Sequence, residues 1–158
     1  KYNYFFKHGF FLYQPILPVE NSIVGFEELL KITHKYGFYS VMSALKAYRN
    51  QKENFLLSFS LDGYSITMDI PKKPNQIKEQ IKMFYEMNDC VIKYGGKIYL
   101  GKTSVLNKDH FSAMYENLDQ FLAKKEKIDP NNLFESNMYR RIMQISYKDL
   151  SAPSIYSI

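Results

Sequence analysis

The sequence is poor in the residues that most often announce chemistry. It holds one cysteine, Cys90, and three histidines in 158 residues. A lone thiol closes no internal disulfide, and no cysteine cluster is available to hold zinc. A chain without disulfides fits the reducing cytosol. No serine elbow, no Cys–His pair and no close pair of carboxylates on a loop stands out, which argues against a hydrolase or a transferase. No stretch reaches the roughly 18–20 apolar residues that span a bilayer. No signal peptide is visible. Tryptophan is absent, although Tyr numbers 14 and Phe 12.

Charge is present but dispersed. Lys and Arg total 21 against 16 for Asp and Glu, a net +5. No run of lysines forms the dense block of a nucleic-acid arm, so nucleic acid is not expected as a partner. A ligand with phosphate groups, such as a nucleotide or a lipid phosphate, suits this balance better. Hydrophobic residues make up 46% of the chain, which marks it as globular. Its length allows one domain with a real core.

The pattern along the chain alternates strands and helices. "GFFLYQPILP" (9–18) reads as a strand closed by Pro18. Residues 20–37 read as a helix, capped by Asn21 or Ser22 and ended by Gly37. Residues 38–48 suit a strand. "FLLSFSLDGYSITMDIP" (55–71) suggests two strands about a Leu61-Asp62-Gly63 turn. In the second of them Ser65, Thr67 and Asp69 share one face, and Tyr64, Ile66, Met68 and Ile70 the other. Residues 73–96 carry the longest helical stripe, with Ile77, Ile81, Phe84 and Val91 on one side and Gly95-Gly96 at its end. Cys90 falls on this helix and reads as a small buried hydrophobe. "KIYLGK" (97–102) reads as a further strand. Helices follow over 107–115 and 116–129, the second stopped at Asp129-Pro130. The tail "SAPSIYSI" reads as loose or docked on a partner. The fold class expected is α+β, an antiparallel sheet with helices packed on one face. The other face carries Gln14, Lys46, Ser65, Thr67 and Lys102. Composition alone makes that face solvated; the other possibility is that it roofs a site.

The order and spacing of several short motifs decide between these. "GYSITMDIP", then "YGGKIYLGKTSVLNKDHFSAMYENLDQFLAKKEKIDPNNLFESNMYRRI", resembles the C-terminal part of the FAD-linked oxidases of the vanillyl-alcohol oxidase superfamily. Within it the chain is most similar to the decaprenylphosphoryl-ribose 2-oxidase family, the flavin subunit of the epimerase; aldonolactone oxidases are more distant. Gly63, Asp69, Pro71, Gly95, Gly96, Tyr99, Lys102, Ser104, Met114, Tyr115, Asp129, Pro130, Arg140 and Arg141 are among the residues in register, over about residues 9–142.

The resemblance implies that residues 1–158 are a single substrate (cap) domain of a longer flavoenzyme. An N-terminal FAD-binding domain would lie outside this sequence. FAD is the implied cofactor, bound weakly or not at all by this chain alone. The implied reaction is oxidation of a sugar or polyol hydroxyl, with the 2-hydroxyl of a polyprenyl-phosphoryl ribose as one substrate and an aldonolactone or sugar alcohol as another. The implied partners are the FAD-binding domain of the same polypeptide, the sugar substrate and a reductase. The implied location is the cytoplasm or the periphery of the cytoplasmic membrane. Lys102 takes the place of the lysine beside the flavin and the reacting carbon. Gln14 and Lys46 match substrate-binding positions. Tyr99 would pack on flavin or sugar, and Ser65 and Thr67 would line the substrate site, Thr67 also beside the flavin. The histidines His8, His34 and His110 match no flavin tether. Tyr64, Ser65, Thr67 and Thr103 depart from the family pattern, so the pocket is altered where substrate is chosen. Asp69 and Asp129 read as structural. A non-catalytic α+β interaction module, in which Lys102 is a dispensable strand-end lysine, is the rival reading.

Overall fold

The computed structural model describes residues 2–50 and 55–144, so the expectation for the tail lies outside the described residues. The described residues divide into two compact units, 2–50 with 59–105 and 55–58 with 106–144.

The first unit is an antiparallel sheet with two long helices. Its strands are β1 (Phe10–Tyr13), β2 (Pro15–Pro18), β3 (Met42–Tyr48), β4 (Gly63–Pro71) and β5 (Lys97–Ile98). Its helices are α1 (Tyr2–Phe5), α2 (Ser22–Tyr36) and α3 (Ile77–Lys93). Strand β4 lies at the centre. Phe11 pairs with Ile70 and Tyr13 with Met68, and in the same register Ile16 pairs with Ser65 and Leu17 with Tyr64. Strands β1 and β2 are therefore one strand interrupted at Gln14. The opposite edge of β4 pairs with β3 throughout, from Met42–Asp69 to Tyr48–Gly63. Strand β5 adds to the far side of β2.

Two sequence expectations change here. The first strand expected within 55–61 is absent: residues 55–62 form a turn and irregular chain. Strand β4 takes β3 as its hairpin partner, and Asp62 accepts the Asn50 N–H at 2.9 Å to close the long loop. Gly63 serves close approach, because a Cβ there would run into the Leu17 carbonyl. The Asp-Gly signal marked that contact, not a two-residue turn. The strand expected over 97–102 also shortens to Lys97–Ile98, and Leu100–Lys102 winds into a 3₁₀ turn.

The helices form where the periodicity places them. Gly37, at φ 70°, ends α2 in the left-handed conformation, with its N–H donating to His34. Gly95 does the same after α3, and Gly96 leaves room for the Ile16 carbonyl. Helices α2 and α3 pack on the face carrying Phe11, Tyr13, Leu17, Met68 and Ile70, all fully or almost fully buried. Phe84 of α3 meets the rings of Phe11 and Tyr13 at 5.0 and 5.4 Å. Lys93–Glu28 and Lys35–Glu86 ion pairs join α2 to α3 at the surface, where such pairs add little.

The second unit holds α4 (Lys108–Met114), α5 (Leu118–Ile128) and α6 (Asn137–Gln144). Asn107 caps α4, accepting the His110 N–H at 2.8 Å. Leu106, Phe111, Met114, Tyr115, Leu118 and Ile142 are its buried apolar side chains among the described residues. Asp129 closes α5 as expected of a structural residue. Its carboxylate accepts from the Lys125 ammonium at 2.6 Å and from the backbone N–H groups of Leu133 and Phe134. The Lys125 contact, foremost, holds this carboxyl below the ordinary aspartate range. A depressed folded pKa means the stabilisation is present above the unfolded pKa and is lost as pH falls through the folded one.

Two outcomes follow from this packing. Phe84→Ala should destabilise the protein by about 3–5 kcal/mol in urea unfolding, the usual range for emptying a buried phenylalanine site. Asp129→Asn should melt below wild type at neutral pH. The difference should shrink as pH falls below the ordinary aspartate range and the wild-type carboxylate protonates, and thermal melts at successively lower pH check it.

Candidate substrate site on the polar face of the sheet

Strict alternation along β4 turns Ser65, Thr67 and Asp69 away from α2 and α3. Their direct partners on β3 are Lys46, Ala44 and Met42. Gln14, at the break between β1 and β2, falls opposite Thr67 on the same face. A hollow of about 140 Å³ lies on this face, lined by Met42, Ser43, Ala44, Lys46, Thr67, Asp69 and Lys102. It is small for a complete ligand pocket and suits one wall of a larger site. The structure thus brings together Lys46, Thr67 and Lys102, the three residues of the sequence reading that line one hollow.

Lys102 arrives there by a turn, not by a strand. Its backbone N–H donates to Tyr99 at 3.1 Å, and Gly101 lets the Tyr99 ring lie close over the chain. A buried network holds the next residues in place. Tyr13 Oη donates to Asn88 Oδ1 at 3.2 Å, and Asn88 Nδ2 donates to the Val105 carbonyl at 3.3 Å. Burial raises the Tyr13 hydroxyl well above its ordinary pKa, so it stays a donor. Lys46 and Lys102 form no ion pair among the described residues. Two ammonium groups therefore share a hollow whose one lining carboxylate, Asp69, bridges neither.

Gln14 and Ser65 sit beside the hollow in the protein interior. Gln14 is 2% exposed and Ser65 fully buried. The Gln14 amide nitrogen donates to Ser65 Oγ and Tyr48 Oη, each at 3.2 Å, and the Gln14 carbonyl accepts the Tyr99 N–H at 2.9 Å. Gln14 Oε1 and Thr67 Oγ1 are buried without a hydrogen-bond partner. A buried polar atom left unpaired calls for an explanation, and an unfilled ligand contact is one.

Not every departure from the family pattern bears on this face. Tyr64 pairs with Leu17 and so points to the opposite side of the sheet from Ser65 and Thr67. Thr103 is buried and accepts the Val105 N–H, a turn contact. Only Ser65 and Thr67 alter the polar face. Asp69 has a second role beside the structural one: Ser40 and Val41 hold its backbone, while its side chain lines the hollow. Sequence reasoning missed Tyr48 and Phe59. Tyr48 was within reach, lying two residues past Lys46 on the same face. Phe59, whose ring lies between Tyr48 and Tyr99, sits in irregular chain where no periodicity exists.

A second hollow, of about 420 Å³, is lined by aromatic and aliphatic side chains with Lys73 as its one charged group, and brings no polar cluster together. His8 and His34 are exposed, and His34 stacks edge-on against Tyr39. His110 is buried within α4. Among the described residues no helix is long and apolar enough to cross a membrane.

The sequence profile of the D-arabinono-1,4-lactone oxidase family matches residues 28–142. The chain belongs to this family. It is 30% identical over 137 residues to decaprenylphosphoryl-β-D-ribose oxidase of Mycolicibacterium smegmatis, covering 85% of this chain and 28% of that relative. It is 27% identical over 86 residues to an uncharacterised Streptomyces coelicolor protein from the mprA 5′ region, covering 54% of this chain and 23% of that one. The chain thus spans about a quarter of the length of the curated relatives it matches. The resemblance drawn from the motifs and the α+β fold both hold.

Cys90 is the one nucleophile type the site does not use. Its Sγ lies 3.9 Å from the Gly25 carbonyl, and burial pushes the thiol up to about 11. At pH 8 an aromatic disulfide reagent should therefore label it about a hundredfold or more slowly in the folded protein than in urea, because the thiolate is the reactive form. Equal rates would mean that Cys90 is accessible and ionised.

Proposed function

We propose that this chain is the substrate-side domain of an FAD-dependent oxidoreductase that oxidises a sugar or polyol hydroxyl. The carrying observation is the hollow that gathers Lys102, Lys46 and Thr67 on the sheet face away from the helices. Its residues fit a polar, partly anionic occupant. Two ammonium groups lack a counter-ion, and a buried hydroxyl and amide carbonyl lack partners. A flavin bound beside this face would supply the hydride acceptor. An FAD-binding domain on the same polypeptide is the partner that this reading requires.

The roles of the chain's own groups follow from their chemistry. The Lys102 ammonium, fixed by its turn, places positive charge at one end of the hollow. There it can donate to the oxygen of the hydroxyl being oxidised and stabilise negative charge that develops during the reaction. Lys46, on the exposed strand β3, suits hydroxyls or a phosphoryl group at the outer edge. Gln14, Ser65 and Thr67 form the inner surface that orients ring hydroxyls. The relatives' names point to two substrate types, an aldonolactone and a polyprenylphosphoryl pentose. The lysine at the outer edge favours the phosphoryl compound.

The test uses the complete flavoprotein, wild type and Lys102→Met, both loaded with FAD. Each is mixed anaerobically with D-arabinono-1,4-lactone, a polyprenylphosphoryl-β-D-ribose and a set of sugar alcohols while flavin absorbance is followed. One compound should bleach the wild type. Lys102→Met should be slower by about a hundredfold or more, roughly 3 kcal/mol of transition-state stabilisation. Equal rates would remove Lys102 from the chemistry, and no bleaching by any compound would sink the assigned reaction.

A further inference from the structure

Strands β3 and β4 serve two hollows, one on each face of the sheet. Met42 and Asp69, which pair directly, line the polar hollow that holds Lys46 and Lys102. Their neighbours Val41 and Ile70 fall opposite each other one step along the same register, and both line the larger hollow of about 420 Å³. The Val41 N–H donates to the Asp69 carbonyl at 3.0 Å, which fixes that step. Successive side chains point to opposite faces, so the two hollows lie back to back. Strand β3 pairs with β4 alone among the described strands. A flexible ligand can therefore pass round its other edge from one hollow to the other.

The larger hollow is apolar where the smaller one is polar. Phe38 and Ile70 in its lining are buried, while Tyr39 and Val41 are 53% and 40% exposed, and Tyr4 and Phe5 of α1 are 83% and 50% exposed. His34 braces the Tyr39 ring edge-on, with centroids 5.0 Å apart, so that part of the rim is preformed. No carboxylate lines the hollow, and Lys73 is its one charged group. Its volume falls within the roughly 300–1,000 Å³ of small-ligand sites. Exposed apolar side chains grouped round a concavity suit an apolar occupant.

We propose that this hollow takes the start of the prenyl chain of a polyprenylphosphoryl sugar whose sugar ring lies in the polar hollow. The inference rests on the sugar-site reading above. Such a compound is polar at one end and apolar at the other, with a phosphoryl group between. The two hollows have the same characters in the same order. The phosphoryl group crosses at the edge of β3, with Lys46 lining the hollow on one side and Lys73 the hollow on the other, an anion between two cations. The first prenyl units leave water for the apolar lining, and that transfer supplies affinity that the small polar hollow does not. An aldonolactone has no apolar part and leaves this hollow unused, so the hollow separates the two substrate types.

The first test needs no turnover. Farnesyl phosphate, kept below the concentration at which it aggregates, is titrated calorimetrically into the complete FAD-loaded protein. It should bind at one site, tighter than geranyl phosphate and at least about tenfold tighter than inorganic phosphate. Val41→Asp should weaken farnesyl phosphate about tenfold or more, because a carboxylate then faces the chain, and should leave inorganic phosphate unchanged. Tyr39→Asp should do the same, and it decides the matter if Val41→Asp does not fold. Leu45→Asp, at an exposed position of β3 that lines neither hollow, should bind as wild type does. Equal binding by wild type and the two hollow variants, or farnesyl phosphate binding no tighter than inorganic phosphate, would overturn the inference. The second test follows flavin reduction. Val41→Asp should raise the KM for polyprenylphosphoryl-β-D-ribose about tenfold, with the limiting rate within about twofold and the KM for D-arabinono-1,4-lactone unmoved. If the lactone alone reduces the flavin and farnesyl phosphate does not bind, the inference fails and the oxidoreductase reading stands. If no compound reduces the flavin but farnesyl phosphate binds with these losses, the assigned reaction fails and the hollow keeps its prenyl chain.

Discussion

Strand β4 is hydrogen-bonded along both edges, and the first unit depends on it. Its two-residue alternation sends Met68 and Ile70 into the core beneath α2 and α3, and Ser65, Thr67 and Asp69 to the other side. A one-residue slip would exchange the two sets, burying a carboxylate against Phe84 and baring the core. The register is held by glycine as much as by apolar packing. Gly63 and Gly96 let backbones approach the carbonyls of Leu17 and Ile16 where any side chain would collide. The polar face is thus a by-product of the same pairing that builds the core, and its residues cannot drift relative to one another.

The break at Gln14 turns that rigid face into something chemical. A regular strand would have spent the Gln14 backbone on the ladder. Here its carbonyl accepts from Tyr99, on the segment that leads into the Lys102 turn, and its side chain bonds to Ser65 on β4 and Tyr48 on β3. One residue therefore ties together the four pieces of chain that carry Lys46, Thr67, Tyr99 and its own unpaired carbonyl. On the far side of the sheet, the Tyr13–Asn88–Val105 chain fixes the segment just past Lys102. The Lys102 turn thus lies between the Gln14–Tyr99 and Asn88–Val105 hydrogen bonds.

Much of this was legible in the sequence, and the misses have physical causes. The helices were readable because amphipathic stripes and glycine stops are local signals; α2 and α3 begin within a few residues of their expected starts and end at Gly37 and just before Gly95. The polar face was readable because period two is also local. Strand partners were not. Residues 55–61 have the composition of a strand, but no edge of β4 remained free to pair with them once β3 and the β1–β2 strand had taken both. The lysine of "GGKIYLGKTS" lies on a 3₁₀ turn and not on the expected strand, because such a turn leaves no periodic trace over three residues. Tyr64 fell off the polar face by alternation alone, whereas the turn contact of Thr103 with Val105 leaves no periodic trace.

The most direct test of the account is a crystal structure of the FAD-loaded flavoprotein with its oxidisable sugar bound under anaerobic conditions. The account predicts sugar oxygens within hydrogen-bonding distance of Gln14 Oε1, Thr67 Oγ1 and Lys102 Nζ. A sugar seated elsewhere, with Lys102 and Thr67 facing only solvent or protein, would contradict it.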